Sequence, residues 1–256
     1  MPTRLMSSPS HGNSESPKID LLERGAPRDG HPQVSLRRLF VQLVALECPR
    51  SPGTDEIAKT LHDLLSEFSL TGVIYADVHH PLGLAVVVID ENPTEIVVRL
   101  RNVVGSARLP DSLRVRNEYA MLGRTYSSGF EPDLEDWLLH RPRRTLLDTN
   151  NQFGVWYPLR RKGGFERLEP SEKGSILREH GGIGRAYGEQ NLAHDIRLAC
   201  HGLDPNDNDF VIGLLGEDLY PLSHVVQAMR RTRQTAEYME KMGPFFVGRV
   251  LYRTPL

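Results

Sequence analysis

The sequence predicts an α+β protein made of two fused β-α-β-β-α-β repeats. One reason is periodicity. Stretches that alternate apolar and polar residues, or stay apolar for seven or eight positions, are separated by stretches whose apolar residues recur every three to four positions. The other is repetition, because the same order of elements occurs on both sides of a polar stretch from about Arg141 to Asn151. Units of this order cover one face of an antiparallel sheet with two helices, and two such units can pack as an α+β barrel.

Residues 1 to about 36 are rich in Ser, Pro, Gly and charge. They lack apolar periodicity and cannot bury enough surface to offset ordering entropy, so a mobile tail is expected. In the first repeat, 37–150, the stretch RLFVQLVALEC reads as a strand from about Arg38 to Cys48. Thr54 is the expected cap of a helix whose Ile57, Leu61, Leu64, Leu65 and Phe68 form one stripe. GVIYADV and GLAVVVID follow as strands around a turn holding His79 and His80. Asn92 and Pro93 supply the cap and first-turn proline of the helix TEIVVRLRNVV, and SLRVRNEYAML closes the repeat as a strand. In the second repeat, 151–256, QFGVWYPL is a strand and Pro170 to about Tyr187 a helix. IRLACHGL and FVIGLLGE are strands across a DPNDND turn, Pro221 to about Tyr238 is a helix, and PFFVGRVLY is the last strand. Each half has the ferredoxin-like order.

Composition narrows the function classes. Lys plus Arg number 31 against 33 Asp plus Glu, which gives no global pull toward nucleic acid or an anionic membrane. No apolar run approaches the ~20 residues that cross a bilayer. The N-terminus lacks the apolar core of a secretory signal, so a soluble, cytoplasmic protein is expected. Cys48 and Cys200 form neither a disulfide framework nor a metal-ligand pair, and reduced buried thiols are expected. The motifs GxxxxGK[ST], GxGxxG after a strand, GxSxG and HExxH are all absent.

Candidate chemistry concentrates between Gln152 and Tyr187. The helix PSEKGSILREHGGIGRAYG puts Ile176, His180, Ile183 and Tyr187 on one stripe. A histidine in such a stripe is either a satisfied core residue or a ligand. The glycines that follow it, Gly181 and Gly182, each cost a helix about 1 kcal/mol relative to alanine. They leave room for something flat to approach the backbone beside the imidazole, and a porphyrin ligated by His180 satisfies both observations. Strain tolerated at a helix end is the alternative. The strand GVWYPLRR delivers Tyr157, Leu159 and Arg161 to one face, a wall suited to an aromatic ring that bears carboxylates. Arg230, Arg231 and Arg233 fall near the middle of the last helix, where one of them can reach a carboxylate of the same ligand.

The blocks WYPLRR, REHGGIGRAYG, HGLDPNDNDFVIGLL and MRRTRQTAEYMEKMGPFFVG, in this order, resemble the chlorite dismutase superfamily and in particular its coproheme decarboxylase branch. The resemblance spans about Arg38 to Leu256. It implies a homopentamer of tandem ferredoxin-like repeats, with haem b or iron coproporphyrin III in the C-terminal repeat. It makes His180 the proximal iron ligand and Tyr157 the carrier of a radical that starts propionate decarboxylation. Arg161, with Arg185 and Arg230, matches residues of the cofactor-binding pattern, and Leu159 packs on the ring. The implied activity is decarboxylation of iron coproporphyrin III to haem b with hydrogen peroxide as oxidant. A peroxidase or chlorite-dismutase-like enzyme of the same fold, or a haem-binding protein without turnover, is the alternative.

The departures from the family pattern are specific. Chlorite-degrading members carry an arginine over the distal face seven residues before the glycine of the GLD block, and Asp195 stands there in this chain. The insertion GEQNLAH blurs that count, so Arg197 or His194 can take the distal place, as can His140 farther upstream. Those members also have a glutamate behind the proximal histidine, and the matching position falls near Leu215. Oxygen-forming chlorite chemistry is therefore not expected.

Overall fold

The computed structural model describes residues 18–255. The expected mobile tail falls outside them as far as residue 17. Its remainder is not formless, because β1 (Glu23–Arg28) and β2 (His31–Ser35) make an antiparallel hairpin. Polar groups hold it in place. The Glu23 carboxylate accepts from Arg124 Nη1 and from the Ser127 amide and hydroxyl. Gln33 Nε2 donates to the carbonyls of Ala26 and Pro132, and its Oε1 accepts from the Leu134 amide. Apolar patterning carries no trace of such docking.

The first repeat runs β3 (Phe40–Glu47), α1 (Thr54–Glu67), β4 (Gly72–Asp77), β5 (Gly83–Asp90), α2 (Pro93–Val104) and β6 (Arg114–Thr125). Asn92 caps α2 by accepting from the Thr94 amide, and Pro93 opens it, as expected. Thr54 does not cap α1; it is the first residue of that helix, and Gly53 precedes it without a side-chain cap. The expected His-containing turn is a structural one, since Asp77 Oδ1 accepts from the His79 amide and His80 Nδ1 from the Leu82 amide. The polar stretch between the repeats is helical, with a π-helical turn (Asp136–His140) that runs into α3 (Arg141–Leu147).

The second repeat runs β7 (Phe153–Arg161), α4 (Pro170–Glu189), β8 (His194–Ala199), β9 (Phe210–Gly216), α5 (Leu219–Met229), α6 (Arg233–Tyr238), β10 (Met239–Met242) and β11 (Phe246–Thr254). One helix was expected over Pro221–Tyr238, but the chain breaks after Met229. Thr232, whose side chain accepts from the Thr235 amide, starts a second helix there.

Each repeat orders its strands alike, as β4-β5-β3-β6 and as β8-β9-β7-β11. The two sheets join edge to edge, β6 to β8 and β11 to β4, so eight antiparallel strands close into one barrel with β10 appended to β7. Closure leaves no free edge in the ring. The β11–β4 seam pairs from Gly248 with Asp77 to Thr254 with Gly72, whereas the β6–β8 seam pairs only Arg124–Thr125 with Leu198–Ala199.

The barrel explains the apolar run in β5. Ala85, Val87 and Ile89 point into the barrel, and Leu84, Val86 and Val88 lie under α1 and α2, so both faces are buried. Trp156, Tyr75 and Phe246 fill the interior. Gly213 makes room for the indole, since a Cβ there would lie 2.5 Å from Trp156 Cζ3. Cys48 and Cys200 are free and buried, which pushes their thiols up to about 11 and about 12. Among the described residues no helix is long and apolar enough to cross a membrane.

Candidate functional site

Strand alternation and the stripe of α4 build a shared layer on the outside of the second repeat. Val155, Tyr157 and Leu159 of β7, with Phe210 and Leu214 of β9, face outward from the barrel. Ile183 and Tyr187 of α4 and Leu222, Val225 and Met229 of α5 pack against them. Tyr157 is buried, its ring stacked on Phe245 at 4.4 Å. Burial, then the charge of Asp195, raises its phenol above the ordinary tyrosine range, with Arg230 pulling the other way.

His180 is half-buried on α4, and its Nδ1 lies 3.3 Å from Thr232 Oγ1. The threonine hydroxyl donates to the Met229 carbonyl at 2.8 Å. With its one proton committed there, the oxygen offers lone pairs, and this network places the histidine proton on Nδ1. Nε2 then carries the free lone pair. Burial first, then the positive charges of Arg197 and Arg161, lowers the imidazole pKa to about 4. The imidazole is neutral throughout the ordinary pH range.

Arg161 extends the Tyr157–Leu159 row. Its guanidinium carbon lies 4.6 Å and 4.5 Å over the Phe165 and Phe210 rings. Its Nε is buried and has no hydrogen-bond partner, and the Glu166 carboxylate stands off at 3.7 Å from Nη1. Burial lowers its pKa, although it stays a cation. A buried guanidinium edge without an acceptor fits a ligand carboxylate.

On β8, alternation separates the three distal candidates. Asp195 and Arg197 share the outward face, whereas His194 falls on the side of Ile196 and Leu198, which point into the barrel. Asp195 accepts from Arg141 Nη2 at 2.6 Å and pairs with Arg197 Nε at 2.7 Å. Both guanidiniums lie over the Trp137 ring, at 4.6 Å for Arg141 and 4.8 Å for Arg197. Burial pulls the Asp195 carboxyl upward, but Arg197 and Arg141 outweigh it and hold the group ionised. Trp137 Nε1 in turn donates to the Tyr126 carbonyl at 3.0 Å.

The structure thus brings together Tyr157, Leu159, Arg161, Asp195, Arg197 and His180. Arg185 is exposed on α4 and makes no ion pair among the described residues. Arg230 is exposed beside a groove of about 420 Å³ shared with Thr235 and Lys241, close enough to Tyr157 for its charge to act there. His140 is exposed and acts on Glu91 and Asp136 instead. Leu215 is fully buried inside the barrel. A Cβ added at Gly181 or Gly182 would meet nothing within 4 Å, so both border open space. Sequence reasoning missed Thr232, Trp137 and Arg141. Thr232 had a signal, a capping residue before a short helix, but the helical periodicity on both sides masked it.

A family model described as chlorite dismutase matches residues 84–251, more than half of the chain. Among curated proteins, none matches it. Among solved structures, the chain is similar to a haem-binding protein from Thermus thermophilus, with TM-score 0.68 and 20% identity over 85% of this chain and 92% of the other. It is also similar to a mutant chlorite dismutase from Candidatus Nitrospira defluvii, with TM-score 0.63 and 14% identity over 84% and 92%. At these identities the structural likeness concerns the fold.

Proposed function

Because this chain belongs to the chlorite dismutase family, we propose that it binds a haem-type tetrapyrrole through His180 and decarboxylates iron coproporphyrin III to haem b with hydrogen peroxide. The observation that carries this reading is the buried, unpartnered Nε of Arg161, in line with Tyr157 and Leu159 and close enough to His180 for its charge to act on the imidazole. That arrangement would serve as an iron ligand, a flat apolar wall and a carboxylate clamp on adjoining elements.

When bound, the iron porphyrin supplies redox chemistry with peroxide. His180 offers a neutral imidazole, already deprotonated at Nε2. Leu159 would pack on the ring, and the unpartnered Nε edge of Arg161 would hold one propionate. Tyr157 keeps its Oη proton, since burial disfavours the phenolate. It would therefore give up proton and electron together to the peroxide-driven oxidation that the iron porphyrin supplies, and would recover a hydrogen from the propionate side chain. Each round converts one propionic acid group and one hydrogen peroxide into a vinyl group, carbon dioxide and two waters. The proposal also takes the active form to be the homopentamer that the family resemblance implies.

A second reading, haem binding without turnover, is favoured by one feature. Asp195 is committed to Arg141 and Arg197, so it is no free proton acceptor for peroxide on that face. The deciding experiment adds iron coproporphyrin III to the apoprotein, titrates with hydrogen peroxide and follows products by mass spectrometry. Stepwise loss of two carboxyl groups is the expected result. Binding without mass loss selects the second reading, and no binding rejects both.

A further inference from the structure

We infer that Thr232 is a positioning residue for His180: its hydroxyl fixes the imidazole tautomer and sets how strongly Nε2 donates to a metal. The inference rests on the ligation of haem iron by His180 proposed above. Thr232 is 1% exposed and sits at the break between α5 and α6, where its side chain is engaged on several sides. It donates to the Met229 carbonyl, caps α6 by accepting from the Thr235 amide, and lies 3.3 Å from His180 Nδ1. Because the carbonyl of Met229 can only accept, the hydroxyl proton is spoken for and the contact to His180 runs from Nδ1–H to oxygen. The break in the last helix is what makes this possible. A continuous helix from Leu219 to Tyr238 would commit the backbone at position 232 to the ladder, with no capping geometry to orient the hydroxyl.

The acceptor behind a metal-bound histidine tunes the metal. A carboxylate draws the Nδ1 proton and makes the imidazole a stronger donor, and a neutral hydroxyl at 3.3 Å does so weakly. Among the described residues no carboxylate hydrogen-bonds His180. The chain has therefore set a neutral, weakly donating imidazole at this place. The consequence is a relatively high reduction potential for the bound iron and a modest pull from the proximal side.

The test loads full-length wild type, Thr232→Val, Thr232→Ser and Thr232→Asp with iron protoporphyrin IX. It reads the iron–histidine stretching band of the ferrous forms by resonance Raman spectroscopy, the midpoint potential and the haem affinity. Thr232→Val is expected to shift the band to lower wavenumber, raise the potential and weaken haem binding roughly 10-fold. Thr232→Ser restores all three. Thr232→Asp keeps a capping side chain, so it remains informative if the valine variant fails to fold, and it shifts band and potential in the opposite directions. Wild-type spectra and potentials in both Val and Asp variants would overturn the role of Thr232 and leave ligation by His180 standing. A wild-type protein whose iron–histidine band is absent, or survives in His180→Ala, overturns the ligation itself and this inference with it.

Discussion

The same burial shifts Tyr157 and His180 in opposite directions, raising the phenol and lowering the imidazole, so that both side chains stay neutral. Replacing Tyr157 with Phe removes the oxidisable hydroxyl and leaves the ring stack on Phe245 in place. Porphyrin affinity should stay within about 2-fold of wild type, and the first decarboxylation should be lost. An unchanged rate of carbon dioxide release would remove Tyr157 from the chemistry. The imidazole makes a thermodynamic prediction for the porphyrin-free protein. Its pKa falls from 6.5 to about 4 on folding, so between these values the unfolded chain binds a proton that the folded chain does not. Stability is full above pH 6.5 and declines as the pH drops toward 4, by at most about 3 kcal/mol from this one group. Urea unfolding at pH 7 and pH 5 should show that decline in wild type and a smaller one in His180→Gln. Asp195 adds a third case. Its charge is matched by two guanidiniums, and Asp195→Asn should leave Arg141 and Arg197 clustered over Trp137 without a counter-charge, at a cost of about 1–3 kcal/mol.

At the scale of the element, α4 carries glycines that lower its helix propensity without a contact that requires them. Nothing lies within 4 Å of a Cβ at Gly182, so alanine there should stabilise the porphyrin-free protein by up to about 1 kcal/mol through helix propensity alone. If the open space is for the porphyrin, the same change weakens binding, and the two effects separate in paired melting and binding measurements. The stripe of α4 was legible from residue spacing, as were the Asn92–Pro93 start of α2 and the shared face of Tyr157, Leu159 and Arg161. Each of these follows from a local period or a local cap. The hairpin β1–β2 was not, because Glu23 and Gln33 dock it to residues about a hundred positions away through hydrogen bonds that leave no apolar pattern. The split between α5 and α6 was hidden for a different reason. Apolar residues keep helical spacing across it, and one buried threonine decides the break. Arg141 reaches Asp195, and Trp137 lies under Arg197, only because the barrel folds the inter-repeat helix against β8, and no reading of one segment contains those contacts.

The whole molecule depends on the ring closing around large side chains. Gly213→Ala would force a Cβ toward the Trp156 ring, which is fully buried, and should cost about 1–3 kcal/mol with a clear drop in melting temperature. An unaltered melting curve would mean that the indole is less constrained than the barrel interior implies. The two seams that close the ring have unequal lengths, and that inequality has a kinetic consequence. Local opening costs least where fewest ladder bonds must part, so the barrel should breathe at the β6–β8 seam and stay shut along β4–β11. In native-state hydrogen exchange the seam amides around Leu198 and Ala199 should lose protection well before those of Gly72–Asp77. The short seam ends at Thr125 and Leu198, next in the chain to Tyr126 and Arg197. The clasp that parts most easily is therefore the one beside the Asp195–Arg197 pair, so local opening would disturb that charged rim first and leave the rest of the ring closed.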